Sequence, residues 1–415
     1  MLVEFQTGEG NRHVVLSLKP DAVSVSLDEV EVYSFDREGR LLTAWVNDHT
    51  YVRTLDNRII KKWRDPDRRR PWKLIEALSA PDRQRFLNQV WARMNDLSRD
   101  RLQSVSPPAD ASVKQARAWL SKIAAWDSER LEQERERFNS VYTPVSILPP
   151  DQYFALVLQA TEGCHWNRCT FCHFYRHCRF RIKSDEEFGQ HIKAVTAFFG
   201  DAIGLRRSTF LGDANALVMP QEKLLTILDR VNQAFAITPK SGSDGRHSFQ
   251  GIYSFIDAFS GDRKSEADFR SLQARHLQRV YVGVETGCDE LLKFLNKPAT
   301  AQQALETVAT MKRAGLQVGV IVLIGVGGDY YNQSHVEQTI KLLNAMSLRQ
   351  GDIIYFSPLY EEPTSAYAQR AAEARIRSLT DRERHEQLTA IRSGLRFPSD
   401  SQPKVSLYDI REFVY

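Results

Sequence analysis

Cysteine is scarce in this 415-residue chain, five residues in all, and so few thiols over that length exclude a disulfide-stapled scaffold. Long apolar runs are missing as well. No stretch approaches the roughly 20 residues that a membrane-crossing helix needs, and the opening MLVEFQTGEG lacks the basic-then-apolar layout of a signal peptide. These absences predict a cytoplasmic protein without a membrane partner. An excess of one charge is also lacking: 56 basic residues stand against 52 acidic ones, for a net charge of +4. The global field therefore does not favour a nucleic-acid partner.

What is present is an ordinary globular composition, with 42% hydrophobic and 26% charged residues, in a chain long enough for two domains or one large α/β domain with an added module. Residues 1 to about 62 alternate short β-type runs (HVVLSL, VSVSLDEVEVYSF, LLTAWV) with polar turns, which predicts a small β-meander. Helical spacing follows at Leu74, Leu78, Phe86, Val90 and Trp91, within 71–103, and a second long helix is expected over 113–138. The polar end of that helix, SERLEQERERF, reads as a solvated connector. From Tyr153 the pattern changes. Six apolar runs (FALVLQA, STFLG, GIYSFID, RVYVGVE, QVGVIVLIG, DIIYFSPL) alternate with amphipathic helical stretches, which predicts parallel strands joined by helical crossovers. Six units suit an open, partial (β/α)6 TIM-like barrel with its chemistry at the C-terminal ends of the strands. The expected fold class is α/β. The expected domains are an N-terminal α+β module (1–145), the barrel core (146–370) and a C-terminal helical extension (371–415).

Three of the five cysteines fall within nine residues, directly after the first core strand, in the run from Thr161 to Phe174. Cys164, Cys169 and Cys172 form C-x4-C-x2-C. Three thiolates can bind three irons of a cubane and leave the fourth iron open to a substrate or cofactor, whereas electron-carrying clusters use four cysteines as a rule. A zinc site would need a fourth ligand, for which His165, His173, His177 or Cys178 is at hand. The C-x-x-C-H haem-attachment pattern also fits Cys169 to His173, but covalent haem requires export. A set of buried structural cysteines does not explain why most of the thiols share one polar loop.

This loop resembles the cluster-binding loop of the radical S-adenosylmethionine (radical SAM) superfamily, and the likeness covers roughly residues 150–370. The commonest pattern of that family has three residues between the first two cysteines, and here there are four, as in some of its subfamilies. The resemblance implies a [4Fe-4S] cluster on Cys164, Cys169 and Cys172, with S-adenosyl-L-methionine as the second cofactor. Phe171 matches the aromatic position that packs near the adenine. Gly212 and Asp213, in Leu211-Gly-Asp-Ala-Asn215, match the turn that holds the methionine amino group. Glu285, in the run Val282 to Asp289, matches a carboxylate that contacts the cofactor, and Gly325, in Ile324-Gly-Val-Gly-Gly-Asp329, matches a glycine-rich turn facing it. Catalytic residues beyond these are not legible. No second cysteine cluster and no D-x-H-x-x-G cobalamin run is present. Cys288 reads as a small buried residue.

The expected function is therefore that of an iron-sulfur, metal-binding radical SAM enzyme. It would cleave S-adenosylmethionine reductively to a 5′-deoxyadenosyl radical and act on an unknown substrate. A low-potential electron donor such as flavodoxin or ferredoxin would serve it. Two alternatives stand beside this reading: a non-catalytic zinc or Fe-S adaptor, and an RNA-modifying radical enzyme. The latter draws on RIIKKWRDPDRRRPWK (58–73), where eight basic residues meet two acidic ones with Trp63 and Trp72 between them. An ordinary solvated face is the favoured reading of that segment.

Overall fold

In the computed structural model the six apolar runs are six parallel strands. They are β1 (Ala155–Gln159), β2 (Ser208–Gly212), β3 (Ile252–Asp257), β4 (Leu277–Glu285), β5 (Gln317–Ile324) and β6 (Ile353–Pro358). The structure describes residues 1–8, 12–64, 74–100, 103–104, 110–176, 178–238, 248–261, 263–413 and 415. The strands pair in chain order, each with the next, and all in parallel. Every residue of β1, β2 and β6 is buried. A strand covered on both faces has no polar side to show, which is why these segments read as unbroken apolar runs.

The crossovers carry α1 (Asp185–Phe199), α2 (Gln221–Ala234), α3 (Glu266–Gln273), α4 (Asp289–Phe294), α5 (Ala301–Arg313) and α6 (Gly328–Ala345); α7 (Ala366–Glu373) and α8 (Asp381–Gly394) follow β6. Local sequence starts several of them. Ser184 Oγ accepts from the Glu187 amide while Glu187 returns a bond to the Ser184 amide. Reciprocal caps of the same kind open α3, α5 and α8 at Ser265, Thr300 and Thr380. Parallel pairing then lines up the strand ends: Gln159 lies opposite Gly212, and Asp257 opposite Gly283. One rim thus carries the loops that follow all six strands.

The chain divides into two compact units, one of residues 1–144 with 193–206 and 411–415, the other of residues 145–192 and 207–410. The first contains an antiparallel sheet whose strands pair in chain order from Leu2–Gln6 to Leu74–Ala77, with Gln103–Ser104 against the outer side of the first. Its core gathers Val14, Leu16, Val23, Val25, Phe35, Trp91, Met94 and Ile123. Buried Arg40 ties this unit together. Its Nε pairs with Asp36 at 2.8 Å and its Nη1 with Glu134 at 3.1 Å, and it also donates to the carbonyls of Phe198 and Phe199.

Four expectations are corrected. Leu74–Ala77 is a strand rather than helix, paired with Ile59–Trp63. Helix begins only at Ala80, where Ser79 accepts from the Asp82 amide and a proline occupies the first turn. The single helix expected over 113–138 is two, Asp110–Ala124 and Ser128–Val141, because Asp127 caps a new start by accepting from the Arg130 amide. The polar end of the second is no solvated connector, since it buries Leu131, Glu134 and Phe138. Beyond 371 the chain holds not only helix but β7 (Lys404–Leu407), which extends the sheet in parallel with β6.

Candidate functional site

The C-x4-C-x2-C loop lies on the rim after β1 and is fastened to the end of α4. The Thr170 amide donates to the Leu295 carbonyl at 2.9 Å, Trp166 Nε1 to the Asn296 carbonyl at 2.9 Å, and Asn296 Nδ2 to the Arg168 carbonyl at 2.9 Å. Between the first two cysteines the backbone turns at Asn167, with φ of 47°. Asparagine is among the few residues that enter this left-handed region readily. Its Nδ2 donates to the Tyr175 carbonyl at 2.6 Å, which fixes the turn.

All three thiols line one cavity of about 200 Å³ and are free of disulfides. Burial pushes Cys169 up to about 12 and Cys172 up to about 11, and it raises Cys164 as well, so each carries its proton when nothing is bound. Backbone amides nevertheless aim at sulfur: those of Asn167 and Trp166 at Cys164, and that of Phe174 at Cys172. Such donors stabilise a thiolate once a metal displaces the proton.

The loop adds Trp166 and Phe171 to the wall, and further aromatic side chains come from the ends of strands: Phe255 and Phe259 at β3, Tyr360 after β6 and Tyr408 after β7. Glu285 is in the wall. It ends β4 in the left-handed region, with φ of 66°, next to a register shift against β5. A glutamate in that conformation is strained. Its carboxylate is compensated by Lys297, whose Nζ lies 2.7 Å from Glu285 Oε1 and also donates to the Gly283 carbonyl at 2.7 Å. Burial works against the charge of Lys297, but Glu285 and the neighbouring groups more than offset it and hold the ammonium above its usual value. A Cβ on Gly283 would stand 2.5 Å from Glu285 Oε1 and 3.1 Å from Lys297 Nζ, so only glycine leaves room for the pair.

Phe171 lines the same cavity and packs against an apolar cluster that includes Cys288, Leu291, Leu323 and Tyr367. Cys288 is buried. Among the described residues the cavity wall does not include Gly212, Asp213 or Gly325. Asp213 is buried beneath the loop, where its Oδ2 accepts from the Gly163 amide at 3.3 Å and its own amide donates to Thr161 Oγ1. Burial pushes its carboxyl up to about 7, opposed by the Gly163 amide and Tyr175. The Gly325 amide is engaged by Gln387 Oε1 at 2.7 Å. His177 and, within the basic segment, residues 65–73 lie outside the described residues.

Three residues that sequence reasoning missed stand in this wall: Lys297, Asn215 and Asp257. Asn215 Nδ2 donates to Asp257 Oδ2, which fixes the amide and leaves Asn215 Oδ1, 2% exposed, without a partner among the described residues. Asp257 Oδ1 accepts from the Ser260 amide at 2.7 Å, while His165 Nε2 lies 3.2 Å from Ser260 Oγ. Burial raises Asp257 and lowers His165. The position of Asn215 just beyond β2 was the only signal available.

Residues 158–343 match the family model of the radical SAM superfamily. This segment is a radical SAM domain. Its superfamily consists of enzymes that use a [4Fe-4S] cluster and S-adenosylmethionine. The residues present fit such a cluster, because three free thiols, two of them with backbone amides aimed at sulfur, share one cavity. Among the described residues no three His, Cys, Asp or Glu side chains gather as on a single ion, and a cubane does not ask for that, since each thiolate takes its own iron. Among curated relatives, the tRNA-2-methylthio-N(6)-dimethylallyladenosine synthase of Ehrlichia canis is 22% identical over 55% of this chain and 49% of its own length. An uncharacterized methyltransferase of Pyrococcus horikoshii is 23% identical over 51% of this chain and 42% of its own length. This chain thus spans about half the length of the curated relatives it matches. Among solved structures, the radical S-adenosylmethionine methyltransferase TsrM from Kitasatospora setae shares 14% identity over 65% of this chain and 59% of that chain, with a TM-score of 0.41. No helix among the described residues is long and apolar enough to cross a membrane.

Proposed function

We propose that the chain is a radical SAM enzyme whose catalytic core is the barrel segment 146–370, with Cys164, Cys169 and Cys172 as the cluster ligands. The observation that carries this reading is the placing of three half-buried, unbridged thiols in one cavity with Glu285 and Asn215 at strand ends and Lys297 beyond α4. When bound, the cluster and S-adenosylmethionine supply reductive cleavage to a 5′-deoxyadenosyl radical, with electrons from a low-potential donor of the flavodoxin or ferredoxin kind.

The chain's own residues set the conditions. The buried acceptor Asn215 Oδ1 calls for an N–H or O–H donor from whatever fills the cavity, because a buried polar atom left unpaired is costly. Glu285, already balanced by Lys297, can accept hydrogen bonds from hydroxyl or ammonium groups without being left as a bare buried charge. Phe171 and the other aromatic walls exclude water from the place where a radical would form. Asp213 and Gly325 support the rim from behind, Asp213 by holding the Gly163 amide and Gly325 through its bond to Gln387.

Anaerobic reconstitution tests the proposal. The wild-type chain should bind about four irons with matching sulfide and convert S-adenosylmethionine to 5′-deoxyadenosine under strong reductant. Cys164→Ala, Cys169→Ala and Cys172→Ala should each abolish both, whereas Cys178→Ala and Cys288→Ala should abolish neither. Stoichiometric zinc without sulfide after anaerobic handling would instead establish the adaptor reading.

A further inference from the structure

The cluster loop contains a device that its cysteine spacing does not announce. The guanidinium of Arg176, four residues past the last cysteine of the motif, reaches back and donates to three carbonyls of the same loop. Nε donates to Cys172 at 3.2 Å, Nη2 to Cys169 at 2.7 Å, and Nη1 to Asn167. These carbonyls belong to two of the three cysteines and to the residue that turns the backbone between the first pair. One planar five-donor group can satisfy three acceptors in a fixed fan, which the point charge of a lysine cannot do.

The side chain is exposed and forms no ion pair among the described residues, so its charge is not neutralised by a carboxylate. It borders a surface depression lined by Cys172, which also lines the inner cavity. The cation thus stands on the solvent side of the loop that carries the thiols.

We propose that Arg176 is a positioning residue for the cluster, holding the loop in its thiol-gathering shape and placing one fixed positive charge beside it. This rests on the cluster reading given above. A positive charge near a redox centre favours the form with the extra electron, so removing it lowers the reduction potential. The two contributions separate by substitution: Arg176→Gln removes charge and fan together, while Arg176→Lys keeps the charge and loses the fan.

The experiment uses the full chain in two states. In the apo protein, hydrogen exchange of the amides of 164–176 should quicken about fivefold or more in both variants, while the barrel strands stay as protected as in the wild type. After anaerobic reconstitution, redox titration followed by electron paramagnetic resonance should show about tenfold less reduced cluster in Arg176→Gln at a given potential, a downward shift of about 59 mV for a one-electron couple. In Arg176→Lys the shift should be less than half as large. A folded Arg176→Gln protein that loses its capacity for iron and sulfide, with quickened loop exchange, also supports the proposal, as the failure to gather the thiols. Unchanged exchange in the apo variants overturns it. So does quickened exchange with an unchanged potential and spectrum, which would leave Arg176 an ordinary loop contact. Wild-type protein that takes up no iron and sulfide overturns the cluster reading itself, and the inference with it.

Discussion

At the scale of single residues the site depends on pairings that bring distant parts of the chain together. Glu285 ends β4, and Lys297 lies beyond α4 in the stretch Leu295-Asn-Lys-Pro298, which has no motif to mark it. Both side chains are less than 10% exposed, so neither charge can be satisfied by water. Lys297→Met should therefore destabilise the apo protein by about 3–5 kcal/mol, because it leaves the Glu285 carboxylate buried and uncompensated. The double variant Glu285→Gln/Lys297→Met should recover most of that loss, since no charge then remains. Denaturant unfolding of the four proteins measures the cycle, and simple additivity would show that the pair is not energetically coupled. Glu285→Gln alone should retain iron while weakening S-adenosylmethionine binding by about 1–3 kcal/mol, the cost of a lost charge-assisted hydrogen bond. Calorimetric titration reads this directly, and unchanged affinity would leave Glu285 with a structural role only. The sequence singled out the three cysteines by their spacing directly after a strand, and Glu285 by the resemblance of its run to a family segment; the structure brings all four to one cavity. Lys297, Asn215 and Asp257 were not legible, because only the folded barrel brings them to one wall.

At the scale of elements, α6 is tied to the turn that follows β4 by polar contacts. His335 of α6 is fully buried, with Nδ1 2.8 Å from Thr286 Oγ1, and Thr339 Oγ1 of the same helix accepts from the Gly287 amide at 2.9 Å. The helix approaches so closely that a Cβ on Gly287 would meet the Gln338 carbonyl oxygen at 2.3 Å. Burial lowers the His335 imidazole from 6.5 to about 4. Between those two values the unfolded chain binds a proton that the folded chain refuses. Stability is thus complete above about pH 6.5 and falls as pH drops toward 4, by about 3 kcal/mol in all for a shift of that size. His335→Gln should flatten that slope of the unfolding midpoint, and an unaltered pH profile in the variant would assign the acid lability to other groups. The six apolar runs were legible as strands because burial on both faces removes the alternation that would confuse them with an exposed sheet. Leu74–Ala77 was misread because Leu74 and Leu78 have helical spacing, and only pairing with Ile59–Trp63 decides between the two forms. β7 was missed because an edge strand of one exposed and three half-exposed residues, Lys-Val-Ser-Leu, leaves no run to recognise.

At the scale of the whole molecule the two units are each built around a core of their own: an antiparallel sheet with helices in the first, a parallel barrel with its crossovers in the second. Domains of this kind need not unfold together, and a chain containing two of them departs from two-state behaviour. Arg40 provides the means to ask, because its ion pairs and carbonyl contacts all lie within the first unit. Arg40→Met would leave the carboxylates of Asp36 and Glu134 without the cation between them. Breaking a buried network in that way costs about 3–5 kcal/mol, which corresponds to a fall of about 10 °C for a unit of this size. Differential scanning calorimetry of the apo chain should show a broad or double transition, and in Arg40→Met only one component should move down. The reconstituted variant should still bind its full complement of iron and sulfide, because none of the three proposed ligands, Cys164, Cys169 and Cys172, lies in the first unit. A single sharp transition that shifts as a whole would mean that the two units unfold as one cooperative block, and the first unit would then be a support that the barrel cannot do without.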